Sequence, residues 1–192
     1  NTASDGAKAG ERCAINIAGR GLSEASIRRG TWLMHPSLYA PTRRIDVEVQ
    51  VLASETGALK HWTPTHLHIG ADHLSARVAI LSGGSIPAGG QGLAQLVVSR
   101  DAFTVHGDTF VLRDQSAQRT IAGGRVIDPF SPKRGRARPA RIAALNALQH
   151  QSVTYALRAL TDGSETGVLL APFSAAYNLP KLRLDMLIET LS

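Results

Sequence analysis

Short apolar runs alternating with polar residues recur from Ile45 to Ile127, and no helix-length pattern comes between them. In Ile45-Asp46-Val47-Glu48-Val49-Gln50-Val51-Leu52 nearly every second residue is branched and apolar, the pattern of a strand with one buried face. Further runs occupy Thr65 to Ile69, Ala76 to Leu81, Gly92 to Val98 and Phe110 to Leu112, with Gly83-Gly84 and Gly89-Gly90 in the loops. A last segment recovers through Thr120, Ile121 and Gly123-Gly124 into Val126-Ile127; its glycine pair suits positive φ or the close approach of another backbone. Short strands at this spacing predict an antiparallel β-barrel from Thr42 to about Pro132, making the chain mainly β.

The flanks read differently. Asn1 to Gly6 are small and polar, as at a frayed or added end. Cys13 to Ile17 and Thr31 to Met34 read as strands, Leu22 to Ile27 as a single helical turn, and the prolines of Pro36 to Pro41 as a boundary. Beyond the barrel, Lys133, Arg134, Arg136, Arg138 and Arg141 fall within nine residues that contain no acid. The pattern then turns helical, with Ile142, Leu145 and Leu148 as one apolar set and Tyr155, Leu157 and Leu160 as a second. Ser174 to Tyr177, the turn Asn178-Leu179-Pro180 and Leu182 to Leu191 read as two short helices around a turn.

With 192 residues, 43% of them apolar, the chain can build one large domain or two small ones. A formal charge of +6 favours polyanionic partners, nucleic acid first and an acidic membrane surface second. The single cysteine, Cys13, excludes an internal disulfide framework and fits a reducing compartment. No window approaches the roughly 20 apolar residues that span a bilayer, and the N-terminus lacks an export pattern. The expected setting is the cytoplasm, with no membrane partner.

Phe110 to Asp128 reads F-V-L-R-D-Q-S-A-Q-R-T-I-A-G-G-R-V-I-D. This strand, Arg-acid pair, loop ending in Arg-Thr and glycine-rich return resembles the end of the third domain of Tu-type translational elongation factors. With Ser116-Ala117 inside the loop it resembles one branch of them, the selenocysteine-specific elongation factors (SelB). Three more blocks occur in family order: Gly10-Glu11-Arg12-Cys13-Ala14-Ile15-Asn16-Ile17-Ala18-Gly19, Arg29-Gly30-Thr31-Trp32-Leu33, and His61-Trp62-Thr63-Pro64-Thr65-His66-Leu67-His68-Ile69-Gly70. Together they span roughly residues 7 to 135.

The resemblance implies the end of a second-domain barrel over 1–40, a whole third-domain barrel over 41–132, and a basic linker with the start of a helical, winged-helix-like region over 133–192. It covers only the middle of such a factor, so a piece of a longer protein is expected. The implied work is to bind selenocysteinyl-tRNA for incorporation at UGA codons on the ribosome. GTP and Mg would be held by a domain outside this piece, which needs no cofactor of its own. An mRNA hairpin would be read by later winged helices. Two other readings stay open: the barrel region of another, Tu-like, translational GTPase, and a generic basic module without RNA specificity.

The resemblance also nominates residues. Arg12 matches the arginine that lines the aminoacyl pocket in that family; a selenol is acidic enough to be anionic near neutral pH, and a guanidinium can pair with it. The alternative is a surface arginine bridging Glu11. Asp114, Gln115, Ser116 and Arg119 fall in the loop that touches the tRNA T-stem backbone, and Thr65 aligns with another T-stem position. The relatives carry Glu and Gly where this chain has Asp114 and Gln115. A-form RNA is read through phosphates and 2′-hydroxyls, which polar loop donors can meet. The alternative is an intradomain ion pair, Arg113 with Asp114 or Arg119 with Asp108. Lys133, Arg134, Arg136 and Arg138 could neutralise RNA phosphates or form a solvated linker, and no aromatic inside the run offers base stacking.

Catalytic signatures are missing from the sequence: it has no G-x-x-x-x-G-K-[ST] phosphate loop, no G-x-S-x-G elbow and no H-E-x-x-H. No catalytic residue is expected in this piece. His66 and His68 share a predicted strand face with His61 and His73 near, but no further ligands are evident, so no metal is assigned.

Overall fold

A computed structural model describes residues 6–8, 10–23, 27–36 and 39–191. Eight strands come first: β1 (Thr42–Val51), β2 (Leu59–Lys60), β3 (Thr63–Ile69), β4 (Asp72–Ile80), β5 (Ser85–Ile86), β6 (Gln91–Ala102), β7 (Thr109–Arg113) and β8 (Thr120–Asp128). Four helices follow: α1 (Pro139–Leu148), α2 (Val153–Asp162), α3 (Leu170–Ala176) and α4 (Lys181–Leu191). Six strands close an antiparallel barrel in the order β1-β6-β4-β3-β7-β8, with β8 returning to β1, while β2 and β5 pair separately. The expected barrel with a helical C-terminal part is therefore what the chain forms.

Alternation explains the interior. Ile45, Val47, Val49 and Val51 of β1 join Leu67, Val78, Leu96, Leu112 and Val126 in a continuous apolar core. Gly123 and Gly124 lie inside β8 rather than in a turn. A Cβ on Gly124 would clash with the Glu48 carbonyl oxygen and approach Phe110 Cζ to 2.9 Å, so close backbone approach is what this glycine provides.

A second core lies outside the barrel. Leu81, Leu93 and Ile127 pack against Leu145, Leu148, Ala156, Leu157 and Phe173. Tyr155, expected among the apolar set of α2, is instead 53% exposed and lies against His150, and Ala156 takes the inward position. Polar residues of β1 are covered at the same seam, and Asp46 is fully buried. Arg141 of α1 donates to Asp46 Oδ2 from Nε at 3.0 Å and from Nη2 at 2.5 Å, and to Asp128 Oδ2 at 2.7 Å. Gln95 adds a donor to Asp46 at 2.9 Å. Glu48 accepts from Arg125 at 2.9 Å and from Gln149 at 2.7 Å.

One guanidinium thus serves two carboxylates. Burial raises the Asp46 carboxyl above its ordinary value despite the pull of Arg141. Burial also opposes the Arg141 charge, but Asp128 and Asp46 outweigh it and raise its pKa. Beside this network, His106 donates its backbone N–H to Ala176 at 2.6 Å, its Nδ1 bonds the Ile127 carbonyl at 2.9 Å, and its ring stacks on Tyr177 at 4.1 Å. Burial lowers the His106 pKa and raises that of Tyr177 to about 12.

The N-terminal flank departs from expectation. Neither Cys13 to Ile17 nor Thr31 to Met34 forms a strand, and the Leu22 to Ile27 turn falls partly outside the described residues. A strand needs a neighbouring edge to take its backbone hydrogen bonds, and no described residue supplies one here. Ile15, Ile17, Leu22 and Leu33 remain exposed. The segment meets the barrel where Gly30 approaches Asp72, Trp32 approaches Gly70 and Tyr39 lies 5.5 Å from Phe103.

Candidate nucleic-acid interface

The loop between β7 and β8 is organised by its first residue. Asp114 Oδ1 accepts from the Ser116 hydroxyl at 3.0 Å, from Gln118 N at 3.0 Å and from Arg119 N at 3.2 Å. Its own N–H donates to the Arg119 carbonyl at 2.9 Å, closing the loop. A short acidic side chain at a turn's first position satisfies N–H groups that the strands leave unpaired. Desolvation pushes the Asp114 carboxyl up, but bonds from the Arg119 backbone, Ser116 and Gln118, with the Arg119 charge, hold it below its ordinary value. The tight path places Ala117 at φ 55°, a left-handed conformation that the Asp114 bonds must offset.

The ion pairs weighed from the sequence are replaced by others. Arg119 reaches Glu55 at 2.6 Å and Asp114 at 3.8 Å, while Asp108 accepts from Thr104 at 2.8 Å and from Val105 N at 3.0 Å. Arg113 donates to the Gln118 carbonyl at 3.0 Å. Asp114 and the Ser116 hydroxyl are consumed in shaping the loop and Arg119 is paired with Glu55, which leaves the exposed Gln115 side chain as the donor facing outward beside them.

Two grooves flank this loop. The first, of about 330 Å³, is lined by Glu55, Pro64, Asp114, Gln115 and Arg119 among others. The second, of about 500 Å³, is lined by Pro64, Thr65, His66, Arg77, Ser99 and Gln115 among others. Gln115 and Pro64 belong to both, and the Gln115 carbonyl is fixed by His66 Nε2 at 3.2 Å. Thr65 is only 3% exposed, and its hydroxyl has no hydrogen-bond partner. The fold therefore gathers Asp114, Gln115, Ser116, Arg119 and Thr65 around one ridge.

The other candidates lie elsewhere. Lys133, Arg134 and Arg138 are exposed between β8 and α1 and form no carboxylate pair among the described residues. Arg136 is half-buried, with its guanidinium carbon 5.7 Å from the Trp62 ring centroid. Arg77 approaches the same ring at 5.9 Å. Sequence reading missed Trp62 and Arg77 as site residues because their partner Arg136 is remote along the chain. Arg12 is exposed, and Glu11 accepts from Lys8 N at 2.7 Å instead of pairing with it. No hydrogen bond or ion pair among the described residues joins Arg12 to the 114–119 loop.

His66, His68 and His73 lie side by side on β3 and β4. Burial, then Arg113 and the neighbouring histidines and Arg29, lowers the His68 pKa. Among the described residues no three His, Cys, Asp or Glu side chains come together as metal ligands. No helix among them is long and apolar enough to cross a membrane.

Residues 44–133 match the family described as "Selenocysteine-specific elongation factor, beta-barrel domain". Similar proteins include a selenocysteine-specific elongation factor of Desulfomicrobium baculatum, 36% identical over 69% of this chain and 20% of that protein. The Escherichia coli K12 protein of the same name is 36% identical over 77% of this chain and 22% of its own length. That of Haemophilus influenzae is 33% identical over 70% and 21%. The chain thus spans about a fifth of the length of the relatives it matches.

Proposed function

Starting from a barrel that belongs to the selenocysteine-specific elongation factor family, we propose that this chain holds selenocysteinyl-tRNA without catalysing a reaction. The observation that carries this reading is the 114–119 loop. The Gln115 side chain faces outward beside two grooves, with the Asp114-bound Ser116 and the Glu55-paired Arg119 next to it, on a backbone that Asp114 fixes in advance. Donors fixed at set spacing suit phosphates and 2′-hydroxyls of an A-form stem, whose shape is the same from sequence to sequence. Thr65 lines the second groove, with its unpartnered hydroxyl buried beneath the groove surface. Lys133, Arg134 and Arg138 add the long-range attraction that the charge of +6 provides. Work on the ribosome, in the cytoplasm, follows from the same reading. Arg12 would face the aminoacyl end, and GTP hydrolysis and hairpin reading would fall to other parts of the factor.

The test is binding of this chain to selenocysteine-specific tRNA and to an ordinary elongator tRNA over a salt series, with Gln115→Ala beside the parent chain. Tighter cognate binding that persists as salt rises, and that weakens several-fold in the variant, supports the proposal. Equal binding that disappears with salt would reduce the chain to a generic basic surface. A preference for the elongator tRNA would point to a Tu-like role.

A further inference from the structure

Trp62 sits at the turn entering β3 with φ 69°, and its N–H is tied to the Val78 carbonyl at 2.7 Å. Its indole is 41% exposed, although guanidiniums from two distant segments lie against it, Arg77 of β4 at 5.9 Å and Arg136 of the linker at 5.7 Å. Arg77 also donates to the Trp62 carbonyl at 3.3 Å. Neither arginine pairs with a carboxylate among the described residues, whereas Arg43, Arg100, Arg119, Arg125 and Arg141 all do. The two charges are thus placed by an aromatic face and left unneutralised. Arg77 lines the groove that Gln115 and Thr65 share, so the cluster continues the surface assigned above.

We propose that Trp62, Arg77 and Arg136 form a second RNA contact, the guanidiniums gripping a backbone phosphate while the indole packs against the adjoining nucleotide. The proposal rests on the RNA-binding reading of the 114–119 loop and extends it toward the basic linker. Guanidinium suits this task because it is weakly hydrated, lies flat on an aromatic face and presents paired donors to phosphate oxygens. An exposed indole beside such a cradle can stack with any base or ribose, so the contact would be tolerant of sequence. The basic run Lys133 to Arg141 contains no aromatic of its own; the fold brings one to it.

The test uses the full chain and an unmodified transcript of the selenocysteine-specific tRNA. A Trp32→Phe background leaves Trp62 as the sole tryptophan. The transcript should change Trp62 emission at saturation, Arg136→Ala should lower the slope of log K against log salt by about one, and Trp62→Ala should weaken binding about fivefold or more. Trp62→Phe, checked by circular dichroism, keeps the aromatic face should the alanine variant misfold, and should retain most of the affinity. Transcript binding with unchanged emission and with affinity and slope unaltered in Arg77→Ala and Arg136→Ala would overturn the proposal. Loss of affinity in Gln115→Ala would in that case leave the loop reading standing. Absence of any transcript binding would overturn both. Equal quenching by polyglutamate and by the transcript would identify a general anion surface and overturn the RNA assignment.

Discussion

On the β1–β8 wall of the barrel, Arg141 and Arg125 end on carboxylates; across the ring of strands, at β3 and β4, Arg77 and Arg136 end on an indole. The first pair is spent on holding helices to strands, and the second keeps its charge for an outside partner. Residue type and net charge alone would have scored all four alike. What separates them is whether the fold delivers an acid, since a guanidinium bonded to Asp46 and Asp128 offers little to a phosphate.

Removing a carboxylate's partner should have the largest effect. Arg141→Met leaves Asp46 fully buried with Gln95 as its remaining strong donor, and breaking a buried pair from one side costs about 3–5 kcal/mol. Urea denaturation should show this loss, whereas Arg136→Ala should change stability little. Equal effects from the two substitutions would erase the distinction drawn between the two flanks.

A smaller effect should appear with pH at the same seam. His106 is held neutral, mainly by burial, and its folded pKa lies below the ordinary value of 6.5. Of the charged groups facing it, Arg125 lowers the pKa further, while Asp128 and the bond to the Ile127 carbonyl raise it. The unfolded chain takes up a proton as pH falls through about 6.5 and the folded chain resists it. Stability should be full above that pH and be lost below it, by up to about 1.4 kcal/mol per pH unit until the folded value is reached. His106→Gln should flatten this part of the stability–pH curve, leaving the slope from His68, which is shifted in the same direction. A curve unchanged in the variant would remove His106 from the seam's pH response.

The flanks also differ in how legible they are. The barrel could be read from β1 because a buried face repeats every second residue, and Ile45, Val47 and Val49 declare it locally. The opposite letters of that strand, Asp46 and Glu48, read as solvent-facing, yet α1 and the turn after it cover them with Arg141 and Gln149. Nothing local to β1 announces a partner so distant in sequence. The strand pattern at Cys13 to Ile17 failed for the converse reason: alternation is present, but no described edge receives it. In the 114–119 loop, Asp114 and the polar letters after it were legible as a turn. Glu55 as the partner of Arg119 was not, since that pairing follows from barrel closure. Trp62 is not legible as a partner of the linear run Lys133 to Arg141, because the cluster exists only in three dimensions.

Arg12 is a third kind of arginine and should give the smallest effect on stability. It lies exposed in a segment without regular structure and has neither a carboxylate nor a ring partner among the described residues. Substitution of an exposed charge away from any cap or buried network usually changes stability by no more than about 0.5 kcal/mol. Arg12→Ala should therefore leave the thermal midpoint where it is, even though the residue is proposed to face the aminoacyl end. Thermal unfolding of the variant beside the parent chain checks this. A drop comparable to that of Arg141→Met would mean that Arg12 is buried against an acid, and the residue would move from the group held for a ligand to the group spent on the fold.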